Sequence, residues 1–449
     1  MGKVKDKSVA ISLAAATCTL LGTAGVSPVQ AQEESKWDFN TALLYYGEAD
    51  GRVQDGSFKS LAQRRFVDDR ILSIGFSVDA LTGATPNGAI PYDGSQTFTT
   101  PSGNSTYTTQ PDVIPLDGSF RDSRVALTAN WAQPLGRLST INVGLSGSGE
   151  YDYTHFGANL GLTRDFNKRN TTLSLGLAVA RDDINPVGGT PVPFSPMGDA
   201  VEREDDEDDD NRVRQPNRMS DQRKDVYDLV FGVTQVITRN LLFQFNYSYS
   251  DSKGYLNDPY KILSLVDATT GDPIPRTPAP GFDGADHEYR YENRPDERVK
   301  HSFYGQTKIF MSGKVLDLSY RYMTDDWNID SHTVDMRYRF PFNNGSYFEP
   351  HIRLYTQTAA EFYRISLVDG TQPFTFASSD YRLGEFDAFT VGMKYGWKTR
   401  FGKEMSIRVE YYKQDGDAPA DQIIGNQADR ELYPDLDAII AQFSYKFGF

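Results

Sequence analysis

The chain has 449 residues, of which 39% are hydrophobic and 13% aromatic, and its formal net charge is −15. Mean hydropathy is −0.52, and past the N-terminus nothing approaches the ~18 consecutive apolar residues of a membrane helix, which excludes a helical membrane bundle. The acidic balance also argues against nucleic acid as a partner, because phosphate neutralisation needs basic stripes.

The N-terminus has the layout of an export leader. Lys3, Lys5 and Lys7 precede an apolar run from Val9 to Leu21, and Val29-Gln30-Ala31 offers small residues for cleavage before Gln32. Residues 1–31 are therefore expected to be a cleaved signal peptide and 32–449 the mature protein. Three lysines and Asp6 give the leader +2, so the mature chain stands at −15 − 2 = −17. Cys18, the only cysteine, falls inside the leader, so the mature chain should hold no disulfide and no thiolate metal site.

Beyond the leader, segments of strict alternation follow one another. Val125-Leu127-Ala129-Trp131 alternates with Arg124-Ala126-Thr128-Asn130, and Thr171-Leu173-Leu175-Leu177-Val179 with Thr172-Ser174-Gly176-Ala178-Ala180. Leu241-Phe243-Phe245-Tyr247-Tyr249 and Phe389-Val391-Met393-Tyr395-Trp397 repeat the pattern. Period 2 over such lengths specifies strands with two unlike faces. Alternation alone fits a soluble sandwich as well as a membrane barrel, and the connections separate them. Long segments near 83–120, 183–222, 253–295, 368–380 and 415–434 largely alternate with short turns such as 167–170, 312–314 and 400–403. That asymmetry belongs to a transmembrane barrel with short periplasmic turns and long extracellular loops. The fold class expected is all-β, an antiparallel transmembrane barrel of about sixteen strands in the outer membrane. Fourteen is the alternative, because 52–65 alternates weakly. Trp37, Trp131 and Trp397 fall where an interfacial girdle belongs. The last segment, Ile439-Ala441-Phe443-Tyr445-Phe447-Phe449, ends on an aromatic and resembles the terminal signal read by the barrel-assembly machinery, although Ser444 stands where glycine is usual.

Four blocks carry a further resemblance: Asp79-Ala80-Leu81-Thr82-Gly83-Ala84-Thr85-Pro86-Asn87-Gly88-Ala89; Gly254-Tyr255-Leu256-Asn257-Asp258-Pro259-Tyr260; Arg321-Tyr322-Met323-Thr324-Asp325-Asp326-Trp327 with Ser331-His332-Thr333; and Leu354-Tyr355-Thr356-Gln357-Thr358-Ala359-Ala360-Glu361-Phe362-Tyr363. Together the chain resembles a family of uncharacterised proteobacterial outer-membrane β-barrel proteins, a domain of unknown function spanning nearly the whole mature chain. The resemblance implies no assigned activity. It implies the lipid bilayer as surroundings and an association with periplasmic redox, flavin-attaching or lipoprotein partners.

Chemistry-bearing residues concentrate in two places. Glu202–Asp210 holds eight carboxylates in nine residues, so Glu204, Asp205, Asp206 and Asp208 are weak hard-cation candidates, weighed against a simple solvated loop. On strands eleven to thirteen, alternation sends Asp317, Arg321, Asp335, Arg337, Arg339, His351 and Arg353 inward, either as one wall of a selective constriction or as a salt-bridged filling. The five histidines are dispersed without ligand spacing, and the adjacent pairs Ser331-His332 and His301-Ser302 point to opposite faces, so no metal, cofactor or catalytic group is expected. Asp325-Asp326-Trp327 reads as turn chemistry or an interfacial Trp. The functional expectation is a channel or transport-related barrel for a small polar or charged solute. The alternatives are a non-conducting partner of an envelope redox or flavin system and, lower, an outer-membrane hydrolase.

Overall fold

The computed structural model describes residues 36–200 and 217–448. The leader, the acidic candidates Glu204, Asp205, Asp206 and Asp208, and terminal Phe449 lie outside them. Sixteen antiparallel strands close into one barrel. They are β1 (Trp37–Glu48), β2 (Gln54–Arg65), β3 (Ile71–Pro86), β4 (Leu116–Leu135), β5 (Ser139–Gly149), β6 (Tyr153–Phe166), β7 (Thr171–Ile184) and β8 (Gln222–Thr238). The second half comprises β9 (Leu241–Gly254), β10 (Glu297–Met311), β11 (Lys314–Asp325), β12 (Asp330–Pro341), β13 (Tyr347–Gln357), β14 (Phe386–Lys398), β15 (Glu404–Gly416) and β16 (Leu436–Gly448). β1 and β16 complete the ring, with Leu43 opposite Phe443 and Phe39 opposite Phe447. Closure leaves no unpaired strand edge in the wall.

The weakly alternating segment is indeed a strand. β2 places Gly56, Phe58, Ser60 and Ala62 on the face that Leu43 sets outward, so a single large apolar residue marks that face. Elsewhere the outward face is an apolar band: Leu43, Leu127, Leu145, Leu177 and Leu354 are all more than half exposed. An exterior of that kind suits lipid and is untenable in water. At one rim the turns are tight. Ser312 and Gly313 take φ of 49° and 86°, the left-handed pair a two-residue hairpin needs.

At the other rim the described parts of the long connections, 87–115, 185–200, 217–221, 255–296, 358–385 and 417–435, run together as a folded cap. One apolar cluster joins Phe98, Met197, Ile262, Tyr289 and Tyr291 from three connections. A second joins Trp327, Phe362, Tyr363, Ile365 and Leu383. Ile262–Val266 pairs antiparallel with Tyr289–Tyr291 and in parallel with Leu367–Val368, tying two connections into one small sheet. The reading of Trp327 as an interfacial residue needs correction. It is 4% exposed in the second cluster, its indole N–H donates to the Glu297 carbonyl at 2.9 Å, and the Arg298 guanidinium sits 4.3 Å over its ring. Trp131 does lie on the outward face near the short-turn rim, beneath Arg70.

Candidate functional site: the lumen wall and its cap

The inward rows of β10 to β15 form a charged wall. Register aligns Lys308, Asp317, Arg337, His351, Gly392 and Glu410 across six strands, with Ser319, Asp335, Arg353 and Thr390 one row nearer the cap. At its centre His351 is held between two carboxylates, Nε2 at 2.9 Å from Asp335 Oδ2 and Nδ1 at 2.8 Å from Glu410 Oε1. Only a ring with two N–H donors satisfies both. Glu410 reaches His351 because β14 presents Gly392 between them; a Cβ there would lie against the Glu410 side chain and 2.6 Å from the Val409 carbonyl. Arg337 flanks Asp335 at 3.4 Å and Arg408 flanks Glu410 at 3.7 Å, which balances the charge of the string.

The expected lumen residues thus divide. Asp335, Arg337 and His351 meet directly, and Arg353 stands opposite Asp335 in the register with its side chain exposed. Asp317 accepts from Gln306 at 2.6 Å and pairs loosely with Lys308. Arg339 pairs with Glu349 at 2.6 Å and covers the Tyr347 ring nearer the short-turn rim. Arg321 lies toward the cap over Tyr304. Glu410 and Gly392 were not singled out from sequence, although β15 alternates Glu404-Ser406-Arg408-Glu410-Tyr412 against Met405-Ile407-Val409-Tyr411 and carries the signal. Toward the short-turn rim a cavity of about 410 Å³ opens, lined among others by Asn40, Lys59, Thr128, Lys394, Ser406 and Lys446.

The opposite wall is lined by small residues, including Gly75, Ser77, Ala126, Gly144, Gly157 and Ala178. It bears the Arg124–Asp79 pair at 2.7 Å and, on β6 to β8, a second ionic cluster. Lys224 Nζ and His155 Nδ1 each lie 2.7 Å from a different oxygen of Asp182, and the second ring nitrogen of His155 lies 3.2 Å from Ser146 Oγ. The adjacent Ser-His pairs behave differently: His332 contacts Tyr320 and His301 contacts Tyr247, both on the outward face. Among the described residues no group of three or more His, Cys, Asp or Glu side chains is arranged so that it could hold a metal ion.

The cap is seated on the wall. Gln357 of β13 donates to the carbonyls of Arg382 and Gly384 at 3.0 and 2.8 Å, and Gln414 of β15 donates to Tyr433, which donates to the Tyr381 carbonyl. Above this seat lies a buried ionic node. Arg294 contacts Glu292 at 2.6 Å and Asp380 at 2.8 Å, while Arg382 binds Asp258 at 2.8 Å and also Asp380. Burial raises the Glu292 carboxyl above its usual range. Burial alone would raise Asp380 too, but Arg382 and Arg294 outweigh it and hold that carboxyl far below the usual range. Burial also pushes the Tyr381 phenol up to about 12. All four blocks behind the family resemblance run into this cap: Lys261 donates to the Pro86 carbonyl at 2.5 Å, Asp258 is in the node, and Trp327 and Phe362 share a cluster.

A closed antiparallel barrel with an apolar exterior, a charged lumen and long connections on one rim defines an outer-membrane-type β-barrel protein. The chain belongs to the family described as "Protein of unknown function (DUF3570)", whose model matches residues 10–447. No curated protein matches it. Similar solved structures include a bacterial polysaccharide outer membrane secretin, at 10% identity and a TM-score of 0.43, covering 93% of this chain and 100% of that one. CdiB from Acinetobacter baumannii matches at 9% identity and 0.43, covering 94% of this chain and 61% of that one. The outer membrane protein opdK from Pseudomonas aeruginosa matches at 10% identity and 0.37, covering 93% and 99%.

Proposed function

We propose that the barrel is a gated outer-membrane pore for small anionic solutes. One observation carries the reading: cations line the lumen, with exposed Arg321, Arg337 and Arg353 on the charged wall and Lys59, Lys394 and Lys446 around the lower cavity. A guanidinium or ammonium facing a lumen lowers the barrier for an anion and raises it for a cation, as charged rings do in selective pores. The cap sets access from the long-loop rim. Protein reconstituted in planar bilayers is expected to conduct with anion over cation preference, and Arg337→Glu with Arg353→Glu is expected to reverse it. Silence over a wide voltage range, in the wild type and in a cap-loosened variant alike, would rule the pore out.

The stapled cap favours a second reading, a closed barrel acting as partner of an envelope redox or flavin system, which is the association the family resemblance implies. Co-purification of a periplasmic flavoprotein or thioredoxin-like protein with a non-conducting barrel would support it.

A further inference from the structure

Across β5, β6 and β7, three inward side chains stand in the order of an acyl-transfer relay. Ser146 Oγ lies 3.2 Å from His155 Nε2, and His155 Nδ1 lies 2.7 Å from Asp182 Oδ1. With Nδ1 donating to the carboxylate, Nε2 is left as the acceptor facing the hydroxyl, the arrangement a serine nucleophile needs. From this geometry we infer that the small-residue wall carries a serine esterase site for short-chain carboxylic esters that enter the lumen.

Three features go beyond a structural ion pair. Register sets Ser146 opposite Gly157 and Ser148 opposite His155, so the histidine must lean across one residue pair to reach Ser146. Gly157 makes room for this: a Cβ there would lie 2.6 Å from Ser146 Oγ and 3.2 Å from His155 Nε2. Next, bare Gly144, two residues before the serine, is flanked by Asn130 and Asn159, and a Cβ at Gly144 would collide with both carboxamides. The atoms such a Cβ would meet are the two Oδ1 oxygens, so both carboxamides line the space beside the nucleophile. A recess lined by Asn130, Gly144, Ser146, His155, Gly157 and Asn159 opens over the group. Finally, Lys224 takes Asp182 Oδ2 at 2.7 Å, which fixes the carboxylate and leaves Oδ1 on His155. Lys224 and Asp182 are positioning residues, 5% and 1% exposed at their side chains.

In the reaction Ser146 Oγ adds to the ester carbonyl carbon while its proton passes to His155 Nε2. Collapse of the tetrahedral adduct breaks the carbon–oxygen bond to the leaving alcohol, which takes that proton. Water then attacks the acyl-serine by the same route, releasing the carboxylic acid and restoring the hydroxyl. The recess is too small for a long acyl chain, so acetyl-sized esters fit best.

The test uses the full mature barrel in detergent micelles, with p-nitrophenyl acetate as substrate and phenylmethanesulfonyl fluoride as covalent probe. An Arg294→Gln variant is run in parallel so that entry past the cap does not limit the result. The wild type is expected to be sulfonylated at Ser146, as read by peptide mass. Ser146→Ala should lose the label and about 10²–10⁴-fold of the hydrolysis while keeping its thermal melting. Asp182→Asn should lower kcat with KM unchanged, which a merely structural carboxylate would not do. Labelling of a different serine, hydrolysis by Ser146→Ala at the wild-type rate, or no labelling in either the wild type or Arg294→Gln would overturn the assignment.

Discussion

Asp380 in the cap and Asp335 on the lumen wall both lie beside arginines, yet 1% of the Asp380 side-chain surface is exposed and 22% of that of Asp335. The arginines differ in the same sense, 10% for Arg294 against 45% for Arg337. Buried partners cannot leave without stranding a charge, whereas exposed ones exchange readily with solvent and solute. Similar residues therefore build a rigid closure in one place and an adaptable lining in the other.

Removing Arg294 should give the largest effect. Arg294→Gln leaves Glu292 and Asp380 buried with one guanidinium fewer, and about 3–5 kcal/mol of local stability should go. Hydrogen exchange in 255–296 and 358–385 should accelerate while the barrel strands stay protected. If the cap holds its protection, the contrast between the two regions fails.

Acid reaches the same node from the other side. The Asp380 carboxyl is lowered in the folded cap, so its stabilisation is present above the ordinary value of about 3.9 and disappears as pH falls below it. Glu292 is raised, so the stabilisation from its bound proton is present below about 4.3 and disappears as pH rises through the folded value. Cap protection, corrected for intrinsic exchange rates, should peak near pH of about 4 and fall on both sides. A monotonic profile would show that one of the two carboxyls is assigned the wrong sign.

On the wall, Gly392→Ala should cost about 1–3 kcal/mol because Glu410 must give way, and it should part Glu410 from His351. Thermal melting in micelles checks the first, and the histidine ring proton signals check the second. The smallest stability change belongs to Arg337→Ala, below about 1 kcal/mol because the Arg337 side chain is itself nearly half in solvent, although ion selectivity should change clearly. A melting shift as large as that of Arg294→Gln would erase the distinction between lining and closure.

The barrel was readable because period 2 marks each strand wherever the outward face is rich in Leu, Phe and Tyr, as in β9. β2 was weak because Gly56, Ser60 and Ala62 occupy the positions that elsewhere announce lipid. Asp335, Arg337 and His351 were legible as an inward row for the same reason. Their partner Glu410 was not, since the contact passes over Gly392 between residues 59 apart. The cap was read only as long connections, because Phe98, Ile262 and Trp327 have no periodic context that tells a buried loop from an exposed one. Ser146, His155 and Asp182 escaped because their order appears only once three strands are set in register, at separations of 9 and 27 residues.

The parallel pairing of Leu265-Val266 with Leu367-Val368 belongs to a wider set of ties spanning much of the chain. Lys261 reaches back 175 residues to Pro86, and Arg430 reaches back 339 to Pro91. Contacts between such distant segments form late, once loop closure has already been met by other pairings. The cap is thus an assembly clock: its ties from Arg430 to Pro91 and from Lys261 to Pro86 join connections far apart in the chain, so they are expected to form after the neighbouring strands have paired. Protease resistance of the 255–296 connection would then date the completion of insertion for each molecule.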